Sequence, residues 1–449
     1  MGIVIGTAIF KTPTFVLQNV TYEWQSYLLW LLGGLLSLCG ALCYAELATS
    51  FSRNGGEYIF LSRGYGAWLG FLFGWAQLTA VHSGTIGTMA YTFADYATHV
   101  YAFPAWINPW LAAGTIGILT LMNLAGTSTG RRLQNLLSLS KVTGLLLLVI
   151  AGMATPAAET MAPDPTGNVA PRLGLALVFV LYAYGGWNDS AYVATEVQQR
   201  ERNLPRALIV GISGITIIYL LVNYACLNAL GMEAARMTQT PAADVVKQAL
   251  GPLGAQATSV LVMTCSLGAI NAMIFTGSRV YTEIGRDHGL FDRANKQAQA
   301  IGIPRGALIA PGLFACGLIL AVGTRGGQQA IDSTLQLVSV PAIPWDQYSG
   351  GFDTLVAGTA PIFWTFFLLT CLSLFLLRRR TPERLNSFRV PLYPLPPVIF
   401  CGVCCYMLYS SIAYAKWLSL LGFAPLAVGL VLFLLTQQLR ARVSQSNVE

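Results

Sequence analysis

Residues 182–189 read Tyr182-Ala183-Tyr184-Gly185-Gly186-Trp187-Asn188-Asp189, a glycine pair set inside an apolar run that carries no charge from 173 to 188. A second interruption opens the chain: Gly2-Ile3-Val4-Ile5-Gly6-Thr7-Ala8-Ile9-Phe10. Glycine weakens a helix because it loses the most backbone freedom on ordering. Either break alone reads equally well as a kink or as an opened helix. The two together, about 180 residues apart and at corresponding places in two halves, point to the midplane site of an inverted-repeat carrier.

Working outward, the runs around these breaks have membrane length. Only 10% of the 449 residues are charged and 55% are hydrophobic, against about 25% charged in an ordinary soluble domain. Stretches without Asp, Glu, Lys or Arg recur along the chain, and about 20 apolar residues in a helix cross a bilayer core. A soluble enzyme and a disordered chain are both excluded. Twelve spans are expected, at 1–19, 24–48, 67–95, 107–130, 133–158, 173–195, 207–232, 248–278, 306–324, 354–377, 390–415 and 417–439. The chain then forms one transmembrane unit, with a first five-helix repeat at 1–158, a second at 173–377 and two further helices at 390–439.

Charge placement sets the expected orientation. With both termini cytoplasmic, the inner connections and the tail hold 18 Lys and Arg. The outer side holds six: Lys11, Arg172, Arg236, Lys247, Arg325 and Lys416. That bias follows the positive-inside rule and accounts for the net charge of +7 without nucleic acid. The nine cysteines all fall inside apolar runs, so no disulfide framework is expected. The opening stretch lacks a basic leader and a small-residue cleavage site, so no cleavable signal peptide is expected. Gly66, Gly70 and Gly74 form overlapping GxxxG steps, read as helix packing within the bundle or as a dimer contact. The outer connection 325–353 has room for a short interfacial helix around Gln328 to Val338.

An opened helix leaves amide N–H groups at the start of its second half and carbonyls at the end of its first. A small zwitterion suits both. Its carboxylate would meet the amides of Gly6, Thr7 and Ala8, and its ammonium the carbonyls near Val4, Tyr182 and Gly185.

In this light several strings become familiar, in order and over nearly the whole chain. They are Ile5-Gly6-Thr7-Ala8-Ile9-Phe10; Ala41 to Leu47 with Asn54-Gly55-Gly56-Glu57-Tyr58; Thr92 to Tyr96; Tyr184-Gly185-Gly186-Trp187-Asn188 with Thr195-Glu196 and Asn203 to Arg206; Asn271, Phe275 to Arg279 and Arg286-Asp287; and Phe388 to Leu392. The chain resembles the amino acid–polyamine–organocation superfamily, and within it the L-type amino acid transporter group. The resemblance implies an all-α LeuT-type fold of five plus five inverted helices with two more at the end. It also implies sodium-independent amino acid transport, with a substrate site drawn from Val4, Gly6, Thr7, Ala8, Tyr182, Gly185, Gly186, Trp187, Asn188 and Asn271. Tyr182 and Trp187 would close over the substrate. Three features depart from the pattern. Ala8 replaces the second glycine of the first break, and Tyr182 stands where the group often has phenylalanine. Only five residues precede Gly6, where a half-helix at an inner gate needs about three turns, roughly eleven residues; a start upstream, or poor transport by this form, is the expectation.

Ionisable groups inside spans are functional candidates by default. Lys141 either snorkels to the cytoplasm or, by the resemblance, puts its ammonium where sodium-coupled relatives hold their second sodium. A Lys141 that exchanged its proton would permit proton coupling. Asp189 either caps the second half of the broken helix or acts on substrate or proton. Glu46 and Glu196 fall at inner helix ends, as gate ion pairs or as solvated ends; Tyr182, Asp189 and Glu196 are the gate candidates. His82 reads as a packing histidine before a selectivity residue, and His99 as a loop residue. Three scattered histidines give no metal site, no phosphate-binding loop is present and no cofactor is expected. No nucleophile, base and orienting carboxylate share one depth, so an enzyme is not expected.

The expected function is exchange or facilitated flux of amino acids, most simply neutral ones, by alternating access in a plasma membrane of bacterial inner-membrane type. A proton-coupled symporter and a transport-dead amino acid sensor are the alternatives. Eukaryotic members of the L-type group bond to a glycoprotein through a cysteine in the outer loop after helix three; residues 97–109 hold none, so no disulfide-linked heavy chain is expected.

Overall fold

The computed structural model describes residues 7–51, 55–124, 130–158, 172–192, 194, 197–288, 305–380 and 388–446. Among them every regular element is helical. Seven stretches are long and apolar enough to cross a membrane: Glu23–Ser50, Ala105–Leu124, Arg200–Met237, Pro241–Ile274, Arg305–Gly323, Gly351–Arg380 and Leu395–Gln438. Of the other expected spans, the first, third and sixth are interrupted, and of the fifth only part of the side chains is among the described residues. The first is a 3₁₀ turn, Thr7–Phe10, followed by α1, Thr12–Leu17. The third, α4 (Ala67–Ala76) and α5 (His82–Tyr101), is divided by a π-turn at Gln77–Val81. The sixth stops after α8, Leu173–Ala183, and resumes as a 3₁₀ helix at Asn188–Tyr192. The last stretch holds two expected spans in one, Leu395–Ala415 and Leu420–Ser446, joined by the 3₁₀ turn Lys416–Ser419.

The remaining helices are α2 (Glu23–Ser50), α3 (Glu57–Tyr65), α6 (Asn108–Leu124), α7 (Gly130–Ala154), α9 (Arg200–Met237), α10 (Pro241–His288), α11 (Arg305–Gly323), α12 (Arg325–Leu337), α13 (Gly351–Arg380), α14 (Leu395–Ala415) and α15 (Leu420–Ser446). Inside α10, Gly251 takes φ 71° and Pro252 follows it. A left-handed glycine ends one helical segment, and proline starts the next where its missing N–H costs nothing.

Long-range packing pairs α10 with α5 and α7, α2 with α9, and α13 with α14. One continuous apolar core runs through the bundle, while Leu, Ile and Val side chains such as Leu121, Ile150 and Val210 remain exposed on its outside. That inversion is what a lipid-facing surface requires. Gly70 packs within the chain, where a Cβ would overlap the Ser62 hydroxyl.

Lys11 and His99 differ from their sequence reading, and Glu46 takes the ion-paired one of its two readings. Lys11, counted on the outer side, is 2% exposed and ion-paired with Asp95. The reason is the break itself: the chain turns from 3₁₀ to α at Lys11 and carries the side chain inward. Glu46 is no solvated end, because it is buried and held by Arg378 Nε at 2.6 Å, by a second Arg378 nitrogen at 2.5 Å and by the Val390 N–H at 2.7 Å. His99 lies in α5 rather than in a loop, with Nδ1 3.1 Å from the Ser259 hydroxyl.

Candidate functional site

The two interruptions create the site. In the first, the Lys11 N–H and the Thr12 hydroxyl both donate to the Ala8 carbonyl at 2.9 Å, and the Tyr96 hydroxyl donates to the Phe10 carbonyl at 2.8 Å. The Thr7 hydroxyl is buried and has no hydrogen-bond partner among the described residues. In the second, the Gly185 N–H closes a tight turn on the Tyr182 carbonyl at 3.1 Å, and Gly186 adopts φ 98°. That left-handed conformation is open to glycine and costs an L side chain of order 1–3 kcal/mol. The Tyr219 hydroxyl holds the Ala183 carbonyl at 3.0 Å, and the Tyr184 hydroxyl reaches the Trp30 carbonyl at 2.9 Å. An aromatic group of Trp30, Tyr184 and Tyr219 thus fixes the end of α8. Among the described residues no donor uses the Gly185 carbonyl.

Both breaks face one cavity of about 150 Å³. Thr7 and Ala8 line it from the first break, and Tyr182, Gly185, Gly186, Asn188 and Asp189 from the second. Lys141, 4% exposed, lines it from α7. Helix α10 adds Ala272, Met273 and Tyr281, and α13 adds Phe352, Thr359 and Trp364. At one end the Tyr182 hydroxyl meets the Thr88 hydroxyl, and its ring stands edge-on to Phe352, centroids 6.0 Å apart. Beyond Phe352 lies the Lys11–Asp95 pair, with Lys11 Nζ 5.4 Å from the Phe352 ring centre and Asn108 donating to the other Asp95 oxygen at 2.7 Å.

Two expected residues are not in this lining. Trp187 turns the other way, into an aromatic cluster with Tyr44, Phe367 and Phe400 at 5.0, 5.5 and 5.9 Å. The positive φ of Gly186 reverses the chain just before it, which sends the indole to the back of the turn. Asn271 accepts a hydrogen bond from Asn123 at 2.7 Å, on the α6 side of α10. Val4, Gly6 and Glu196 lie outside the described residues.

The sequence reading missed most of the contribution of the third span: Gln77, Val81, Thr85, Thr88 and Met89 join His82 in the lining. His82 Nε2 bonds the Met273 carbonyl at 2.9 Å, and a Cβ on Gly277 would come within 2.6 Å of that nitrogen. The π-turn at Gln77–Val81 redirects this face, and π-turns concentrate at functional sites.

The sequence has counterparts among known proteins. A family model described as amino acid permease matches residues 1–434. The chain belongs to the amino acid permease family. It is 26% identical to the b(0,+)-type amino acid transporter 1 of Mus musculus, over 92% of this chain and 80% of the relative. It is 24% identical to the serine/threonine exchanger SteT of Bacillus subtilis, over 92% and 88%. The human cystine/glutamate transporter is 25% identical, over 96% and 81%. As a member of this family the chain is a transporter-class membrane protein, and its relatives include exchangers.

Proposed function

We propose that this chain is a sodium-independent secondary transporter of neutral amino acids, working by exchange or facilitated flux through alternating access. The scaffold is the LeuT-type arrangement of five plus five inverted helices with two more at the end. It makes twelve crossings with both termini cytoplasmic, in a plasma membrane of bacterial inner-membrane type. The observation that carries the reading is that both helix interruptions face one cavity. The Thr7 hydroxyl and the neighbouring amides suit a carboxylate, and the turn at Tyr182 to Gly186 offers carbonyls to an ammonium. Among the described residues Lys141 and Asp189, with the imidazole of His82, are the basic and acidic side chains of the lining, which suits a zwitterion with an uncharged side chain.

Counterflow in proteoliposomes with a panel of labelled amino acids tests this. Accumulation of one or more neutral amino acids is expected, and no signal for any of the twenty would favour the sensor reading. The backbone opening has its own test. A valine at Gly186 must adopt a disfavoured φ, and one at Gly185 would bring its Cβ to 3.0 Å from the Tyr182 carbonyl oxygen. Gly185→Val and Gly186→Val should each weaken binding of the transported amino acid at least about tenfold, roughly 1.4 kcal/mol, while the protein still elutes as a folded species. Unchanged affinity would reduce the break to a kink.

The transporter works without a disulfide-linked heavy chain. Residues 97–109 contain no cysteine, so a non-reducing gel should show one band at the mass of the chain alone, and a larger thiol-sensitive adduct would refute this.

A further inference from the structure

One set of contacts reaches from the cavity wall at Asn188 and Asp189 to a carboxyl behind it. Glu57, in the first turn of α3 between the second and third spans, is 1% exposed. Its Oε1 accepts a hydrogen bond from Asn188 Nδ2 at 3.1 Å, and the same nitrogen donates to Asp189 Oδ1 at 3.3 Å. One amide therefore bridges two carboxyls from different elements. Its orientation is fixed from the other end, where the Gly186 N–H donates to Asn188 Oδ1 at 3.3 Å.

Among the described residues no Lys, Arg or His forms an ion pair with Glu57 or Asp189. Facing them are Tyr44 from α2 and Tyr192 from the 3₁₀ helix after the break. The wholly buried Tyr44 hydroxyl and the Tyr192 hydroxyl lie against the Glu57 carboxyl as uncharged donors, and Thr370 of α13 lies next to Tyr44. Lys141 lines the same cavity without pairing to Asp189, and Glu46 and Arg378 are committed to each other. Burial pushes the Glu57 carboxyl above the usual carboxylate range.

Two ionised carboxylates around one neutral amide, with no cation among the described residues to balance them, repel strongly; a single proton removes the conflict, and such a pair titrates as a unit. A metal ion fits poorly, because the amide turns N–H hydrogens rather than an oxygen toward the acids. We infer that Glu57 and Asp189 form a shared-proton site that exchanges its proton with the cavity through Asp189, making the chain a proton-coupled carrier. Water in the cavity delivers the proton as hydronium, one O–H bond forms on a carboxylate oxygen, and release returns the proton to water. The Asn188–Gly186 hydrogen bond ties the occupancy of the acids to the glycine break. This rests on the reading of the cavity as the amino acid route.

Two measurements test the site separately from that reading. Infrared spectra of the purified chain at neutral pH should show a protonated-carboxyl band in wild type that is lost in Glu57→Gln, because Asp189 relieved of its acidic neighbour ionises. A band of unchanged intensity in Glu57→Gln overturns the shared proton, whether or not any amino acid is transported. In proteoliposomes containing a pH-sensitive dye, net uptake of a labelled amino acid by wild type should acidify the lumen, and proton movement per substrate should fall at least tenfold in Asp189→Asn. Uptake by wild type without acidification overturns the coupling while leaving amino acid transport intact. If Glu57→Gln does not fold, the wild-type acidification measurement decides.

Discussion

Lys141→Ala is expected to lose at least about nine-tenths of exchange activity, whereas replacing sodium by choline or potassium should leave the wild type unchanged. Lys141 is 4% exposed and lines the cavity with Thr7 and Ala8. An ammonium carries three donors and a full charge. If it braces the carbonyls and hydroxyls between the first, fifth and eighth spans, truncation leaves those acceptors unpaired, at about 1–3 kcal/mol each, and one such loss already corresponds to about tenfold. The same charge makes sodium superfluous. Two unit charges 4 Å apart repel by about 4 kcal/mol at an effective dielectric of 20. Uptake that depended steeply on sodium with Lys141 intact would overturn the assignment.

Glu46→Gln should be among the most destabilising single changes in the chain, at about 3–5 kcal/mol, the usual cost of breaking a buried ion pair from one side. Glu46 is fully buried and takes three short hydrogen bonds, two of them from Arg378, whose guanidinium also stacks 3.6 Å from the Tyr393 ring centre. The contact ties α2 to the end of α13 and to the segment entering α14. A thermal-shift series in detergent should show a large drop for Glu46→Gln and partial recovery on adding Arg378→Met, which removes the stranded cation. A loss under about 1 kcal/mol would mean that water solvates the pair.

The broad architecture was legible because lipid imposes it: apolar length and charge clustering are properties of the chain before it folds. The two breaks were legible because glycine pairs in apolar runs have few other uses. Directions of side chains were not. Trp187 reads as a lid from its place beside the glycines, and only the φ of Gly186 shows that the indole points into the Tyr44–Phe400 cluster. Lys11 reads as an outer charge until Asp95, 84 residues away, is seen to hold it. Gln77, Thr85 and Thr88 carry no charge and break no pattern, and the π-turn that shapes their helix leaves no mark in composition. Glu57 was visible as part of a motif, but its bond to Asn188 spans 131 residues.

The Lys11–Asp95 pair has an electrical meaning. One elementary charge moved through a field of 100 mV exchanges about 2.3 kcal/mol with it. A cation and an anion displaced together exchange almost nothing, so voltage has no grip on a first helix that travels with its partner. Parted from Asp95, Lys11 becomes a gating charge, and the membrane potential then weights one conformation over the other. Whether the membrane potential acts on the first helix of this carrier is decided by whether that one contact opens during the cycle.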